Sequence, residues 1–204
     1  MKILCVARNY GAHAAELHNA TPTEPVFFLK PDSSLLPKNQ PFFYPDFSND
    51  VQHELEIVVR IDKVGKCIEE RFASRYYSEV ALGLDFTARD LQQQAKTAGL
   101  PWLLSKGFDG AAVVSPFVPL DSLGKDVQQL QFSLSRNGEV VQCGNTGEMI
   151  FSVNRLISYV SRFMTLKTGD LIFTGTPSGV GSVKIGDVLV GELEGRQLLR
   201  CRVK

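Results

Sequence analysis

The stretch VQHELEIVVRID, residues 51–62, restricts the fold before any other part of the chain does. From His53 on it alternates with the period of a β-strand: Leu55, Ile57, Val59 and Ile61 point one way, Glu54, Glu56, Val58 and Arg60 the other. An apolar row of this kind requires a core on one side. The opposite row sets two carboxylates roughly 7 Å apart at the backbone, where their charges repel. Two arrangements resolve this. Either the face is solvated, as strand glutamates commonly are, or a cation sits between them. Spacing alone favours the first.

The rest of the chain reads as many strands and few, short helices. Residues 2–7 form a first strand, 8–20 a loop leading into a short helix, and the prolines of TPTEP end it. VFFLKP is a strand stopped by Pro31, and residues 31–50 form an extended, proline-containing loop. EVALGLDFTARDLQQQAKTAGLP gives an apolar strand and then a helix over about 87–98, stopped by Gly99 and Pro101, with Asp85 at the junction. VQQLQFSLSRNGEVVQCG is a hairpin with Asn137-Gly138 in a type I′ turn. Ser152 opens an amphipathic helix carrying Val153, Leu156, Ile157 and Val160, short Gly-rich strands follow, and the last strand is roughly 197–203. The order is not a β-α-β alternation, which argues against a doubly wound parallel sheet. The fold class expected is α+β, mainly β: a mixed sheet rolled on itself with short helices at its margins.

The 204 residues favour one compact domain, with 44 % hydrophobic and 22 % charged residues. Net charge is zero and no basic run is present, so neither nucleic acid nor an anionic membrane is expected as a partner. No apolar stretch reaches the roughly 18 residues of a spanning helix, and the N-terminus reads as a strand, not a signal peptide. Cys5, Cys67, Cys143 and Cys201 are scattered, with no Cys-x-x-Cys pair. This argues against a structural zinc site and a redox dithiol, and suits a reduced, cytoplasmic protein.

Four groups could carry chemistry. Glu54 and Glu56 with Asp85 would make an all-oxygen set suited to Mg²⁺ or Mn²⁺. His13 and Glu16, three apart on the first helix, would orient an imidazole as a general base, or form an ordinary surface pair. His18 and His53 read as structural. FTGTPSGVG (173–181) can converge backbone N–H groups on an anion, with hydroxyls from Thr174 and Thr176, or be a tight connection. Lys106, among apolar neighbours, either faces a site or snorkels to the surface.

Taken in order, ARNYGAHAAEL, PVFFLKP, HELEIVVRI, LGLDFTARDLQ, PWLLSKGFDG, MIFSVNRLISYVS and GDLIFTGTPSGVG resemble the signature blocks of the fumarylacetoacetate hydrolase family. The similarity is to its short, single-domain branch of acylpyruvate hydrolases and oxaloacetate decarboxylases. The resemblance implies a mixed β-roll over residues 1–204, usually a homodimer, acting on a small 2-oxo acid. It implies Mg²⁺ or Mn²⁺ on Glu54, Glu56 and Asp85, and His13–Glu16 on a mobile lid over about 10–25, bounded by Pro22 and Pro25. Lys106 and Gln92 would be catalytic. Arg8, Lys106, Gly175 and Thr176 would bind substrate. The lid and the loop 31–50 are expected to wall the pocket. The larger enzymes' N-terminal domain has no room here, and their extra upstream metal-binding Asp has no clear counterpart, which argues against fumarylacetoacetate as substrate. Within the family, an isomerase or decarboxylase of 2-hydroxyhepta-2,4-diene-1,7-dioate-type diacids, or an oxaloacetate tautomerase, is the alternative. Outside it, the alternative is a β-roll that binds a small carboxylate without catalysis.

Overall fold

The structure, a computed structural model, describes residues 1–16 and 21–204, with backbone alone for 13–15. His18 and the side chain of His13 lie outside the described residues. In chain order the regular elements are β1 (Ile3–Ala7), α1 (Gly11–Glu16), β2 (Val26–Lys30), β3 (Val51–His53), β4 (Leu55–Ile61), β5 (Tyr77–Asp85) and β6 (Thr87–Ala88). There follow α2 (Arg89–Ala98), α3 (Leu103–Lys106), β7 (Ala112–Val114), β8 (Val118–Pro119), β9 (Gln131–Arg136), β10 (Glu139–Asn145), α4 (Val153–Ser161), β11 (Leu171–Phe173), β12 (Gly181–Ser182), β13 (Val188–Leu193) and β14 (Arg196–Arg202).

The expected mixed, curled sheet is present. Its strands run β2-β1-β11-β4-β5-β7, with β8 also on β5. β1 and β11 are parallel, and the other pairs antiparallel. A four-stranded sheet, β10-β9-β13-β14, covers it, and a small one, β12-β3-β6, lies beside it. The β9–β10 hairpin turns at Asn137-Gly138, both with positive φ, as a type I′ turn requires. Ser152 caps α4 by accepting a hydrogen bond from the Arg155 amide at 3.1 Å.

The apolar row of β4 behaves as its spacing demands. Leu55, Ile57, Val59 and Ile61 are fully buried in the main core, with Leu134, Leu189 and Leu199 from the second sheet. The other row departs from expectation. Val58 is also buried, in a second cluster with Ile3, Cys5, Ala81, Ala112, Leu171 and Phe173. β4 is therefore covered on both faces, and Glu54 and Glu56 do not stand on a wet surface. Nor is the strand continuous. It breaks at Glu54, because Gln142 inserts its side-chain oxygen 3.0 Å from both His53 Nδ1 and the Leu55 amide. A side chain there replaces a ladder partner, and β3 turns into the small sheet.

Candidate metal centre and its pocket

The break in the strand is what assembles the site. The Asp85 amide donates to the Glu54 carbonyl at 2.9 Å, so the end of β5 lies against the start of β4. Glu56 follows two residues along, opposite Gly83. One oxygen each from Glu54, Glu56 and Asp85 lies within 4.8 Å of the others. The three residues are 6, 1 and 0 % exposed. Three ionised carboxylates cannot be buried together without compensating charge.

The chain supplies that charge from three separate elements. Lys106, last residue of α3, donates to Glu54 Oε2 at 2.8 Å and to Asp85 Oδ2 at 2.9 Å. Arg89, first residue of α2, holds Glu54 Oε1 at 2.5 Å and also donates to Gln52 and Gln92. Lys30, at the end of β2, is fully buried beneath Asp85. Its ammonium donates to the carbonyls of Phe86, Lys106 and Ala111. It also lies 2.8 Å from Asp85 Oδ1, but its three N–H bonds go to carbonyls, so that oxygen takes the charge without accepting a hydrogen bond. The Gly175 amide donates to Glu56 Oε2 at 2.6 Å. Gly175 has φ of +98°, and a Cβ there would come 2.7 Å from that of Asn9, so only glycine brings this N–H so close.

The electrostatics follow. Burial first, then the charges of Asp85 and Glu54, push the Glu56 carboxyl well above the usual carboxylate range, against the opposing Gly175 hydrogen bond. Burial disfavours the Lys106 ammonium, but Asp85 and Glu54 outweigh it and hold its pKa above the ordinary value. The donor set suits a hard divalent cation: it is all oxygen, closely grouped and buried. His53, beside it, is buried against Gln142, as a structural histidine is.

Over the carboxylates lies a pocket lined by Val6, Ala7, Arg8, Phe28, Glu54 and Arg89, and then by Gln92, Lys96, Trp102, Lys106 and Thr176. The profile of the fumarylacetoacetate (FAA) hydrolase C-terminal family matches residues 2–204. The chain belongs to the fumarylacetoacetate hydrolase family. Among relatives of this member, the mitochondrial oxaloacetate decarboxylase of Dictyostelium discoideum is 49 % identical over 189 residues, 92 % of this chain and 86 % of that protein. The mitochondrial oxaloacetate tautomerase FAHD1 of Bos taurus is 43 % identical over 202 residues, 99 % of this chain and 91 % of that protein. The crystal structure of fumarylpyruvate hydrolase from Pseudomonas aeruginosa, in complex with Mn²⁺ and pyruvate, is 36 % identical. It has a TM-score of 0.93, covering 100 % of this chain and 89 % of that one.

The pocket brings together most of the residues singled out in the sequence. Arg8, with φ of +59°, stands where β1 leads toward α1, and Gln92, Lys106 and Thr176 line the same space. Glu16 accepts from the Gly179 amide at 3.1 Å, which joins α1 to the Gly-rich turn. At Gly179 a Cβ would meet the Val141 carbonyl at 2.2 Å. Two expectations fail. Thr174 spends its hydroxyl on the Ile57 carbonyl at 2.8 Å, a bond that ties β11 to β4, so only Thr176 of the two faces the pocket. The loop 31–50 contributes none of the pocket lining; its residues 36–41 border a separate cleft with β7 and β14. Sequence reasoning missed Lys30, Arg89, Lys96 and Gln142. A lysine closing an apolar strand before a proline, and an arginine opening a helix beside Asp85, were the available signals.

Proposed function

We propose that this protein is a divalent-metal-dependent enzyme of small 2-oxo acids, which hydrolyses acylpyruvates or decarboxylates oxaloacetate through a common pyruvate enolate. The observation that carries the reading is the buried Glu54–Glu56–Asp85 triad, cross-linked by Lys106 at the floor of a cation-rich pocket. Glu54, Glu56 and Asp85 would hold Mg²⁺ or Mn²⁺. A cation held there would supply Lewis-acid polarisation of a 2-keto oxygen. Lys106 offsets charge developing on the substrate oxygens. Thr176 and the Gly175 turn receive the carboxylate, and Arg8 contacts the substrate from the base of the lid. His13, oriented by Glu16, takes a proton from the water that attacks the distal carbonyl of an acylpyruvate. Gln92 orients that water or the departing group. In oxaloacetate CO₂ leaves instead, and no hydrolytic water is needed.

Tautomerisation of oxaloacetate is the second reading, favoured by the name of the Bos taurus relative. It uses the same enolate and asks only for proton transfer. We also propose that residues 1–204 act as one catalytic domain with a lid over about 10–25, in a homodimer. Four free thiols suit a reducing compartment such as the cytoplasm. No helix among the described residues is long and apolar enough to cross a membrane.

The test is turnover of acetylpyruvate and oxaloacetate with Mg²⁺ or Mn²⁺. Glu56→Ala should lose the cation in calorimetric titration and both activities with it, whereas His13→Ala should lose mainly hydrolysis. Native-rate hydrolysis by His13→Ala would remove His13 as the base. A wild-type protein that binds metal but turns over neither substrate would leave a non-catalytic carboxylate-binding module. Light scattering should give twice the 22.5 kDa chain mass.

A further inference from the structure

Gln142 does more than interrupt the strand at Glu54. Along β10 the pairing with β9 shifts between Val140 and Gln142, so Val141 is the extra residue of a β-bulge. A bulge re-aims the side chain beside it, and Gln142 is turned inward and buried. Every hydrogen-bonding position of its amide is used. Oε1 meets the Leu55 amide and His53 Nδ1, both at 3.0 Å. Nε2 meets Thr176 Oγ1 at 2.9 Å and the Pro177 carbonyl at 3.1 Å. Two of these partners admit one polarity only: the Leu55 N–H donates and the Pro177 carbonyl accepts. They fix which end of the amide is oxygen, and the other two bonds follow. Burial lowers the His53 pKa, so its ring is neutral near pH 7 and carries its proton on Nδ1. Thr176 Oγ1 accepts from Gln142. A hydroxyl also has one proton to donate, and among the described residues no group accepts that of Thr176. Thr176 is 3 % exposed and lines the pocket over the triad. Its turn is held on both sides, by the Gly175 bond to Glu56 and by the close approach of Gly179 to the Val141 carbonyl. A donor buried without a partner is unfavourable, and an acceptor in the pocket removes that cost.

We propose that Gln142 is a positioning residue for substrate binding. By donating to Thr176 Oγ1 it turns the Thr176 proton into the pocket, where Thr176 is a fixed donor to a carboxylate oxygen. This rests on the preceding reading, in which Thr176 receives the substrate carboxylate. Gln142 itself is not part of the pocket lining and acts through Thr176 alone. A Gln142 that only tied β4 to the turn would weaken the site whatever residue stood at position 176.

Pyruvate affinity with Mg²⁺ present, measured by calorimetric titration, separates the two cases through a double-mutant cycle. Gln142→Met removes the donor without adding charge and should weaken pyruvate roughly tenfold or more, as should Thr176→Val. In the Thr176→Val protein, Gln142→Met should then cost nothing further. In Thr176→Ser, which keeps the hydroxyl, it should cost as much as in the wild type. A second measurement needs neither ligand nor variant: heteronuclear NMR of the wild-type protein should show His53 neutral and protonated on Nδ1, the tautomer that this amide orientation requires. Losses that add in the cycle, a pyruvate affinity that survives Gln142→Met, no pyruvate binding in the wild type, or a His53 protonated on Nε2 alone overturns the proposal. Failure to turn over oxaloacetate or acetylpyruvate, with the cycle and the tautomer as expected, would instead strike the proposed function and leave the role of Gln142 in carboxylate binding standing.

Discussion

At the scale of single residues, the site depends on a lysine that touches no solvent. Lys30 is accommodated inside the protein because three carbonyls and Asp85 surround its side-chain nitrogen. Removing one member of such a set leaves the others desolvated and unpaired, which costs more than the set itself stabilises. Lys30→Met should therefore destabilise the metal-free protein by about 3–5 kcal/mol, read as a lower urea midpoint at unchanged slope. Glu56 behaves oppositely. Burial and its carboxylate neighbours already disfavour its charge. Glu56→Gln should leave the melting temperature of the metal-free protein equal or higher, while weakening Mn²⁺ at least roughly tenfold in a spin-resonance titration. A variant that loses stability and keeps its affinity would show that Glu56 is structural.

At the scale of elements, the chemistry comes from ends and breaks. Glu54 lies between β3 and β4, Asp85 ends β5, Lys106 ends α3, Arg89 begins α2 and Gly175 follows β11. Backbone groups at such places lack ladder partners and can be turned toward a ligand. Gly175 is the clearest case, since its N–H meets Glu56 only at a dihedral that favours glycine. Gly175→Ala should cost about 1–3 kcal/mol from left-handed strain and the clash with Asn9. Because the N–H then moves from Glu56, cation affinity should fall in the same variant. The two losses are separable by chemical denaturation without metal and by calorimetry with it.

At the scale of the whole molecule, the long-range tie between the first and eleventh strands sets part of the acid stability. Asp170 accepts from the amides of Lys2 and Lys167, both at 2.8 Å, and pairs with the Lys2 ammonium at 2.5 Å. Burial alone would raise its carboxyl, but the bonds from Lys2 and Lys167 prevail and hold it below the ordinary value. The sign follows from that depression. The stabilisation is complete above the unfolded pKa of about 3.9 and disappears as pH falls through the lower folded value. Asp170→Asn should be less stable at pH 7 by about 1–3 kcal/mol. The gap to wild type should close in thermal scans below about pH 4. A gap that stays constant with pH would mean that packing around Asp170, not its charge, holds the strands.

Local pattern was legible without any structure. The period of two along 53–61, the Asn137-Gly138 turn, the Ser152 cap and the Gly99 stop depend on neighbours in the chain, and each element forms as its residues require. The quoted blocks pointed to the family and to the three carboxylates. Tertiary structure alone decided that the glutamate face is buried, that Gln142 breaks the strand, and that Lys30, Arg89 and Lys106 converge on the acids from segments up to 76 positions apart. The physical reason is desolvation. Whether a charge lies in water or in a core depends on what packs over it, and no periodicity records that. Residue order and spacing set where the acids and the strands stand along the chain. Only the folded chain determined how those charges are compensated, and so why the acids can remain together.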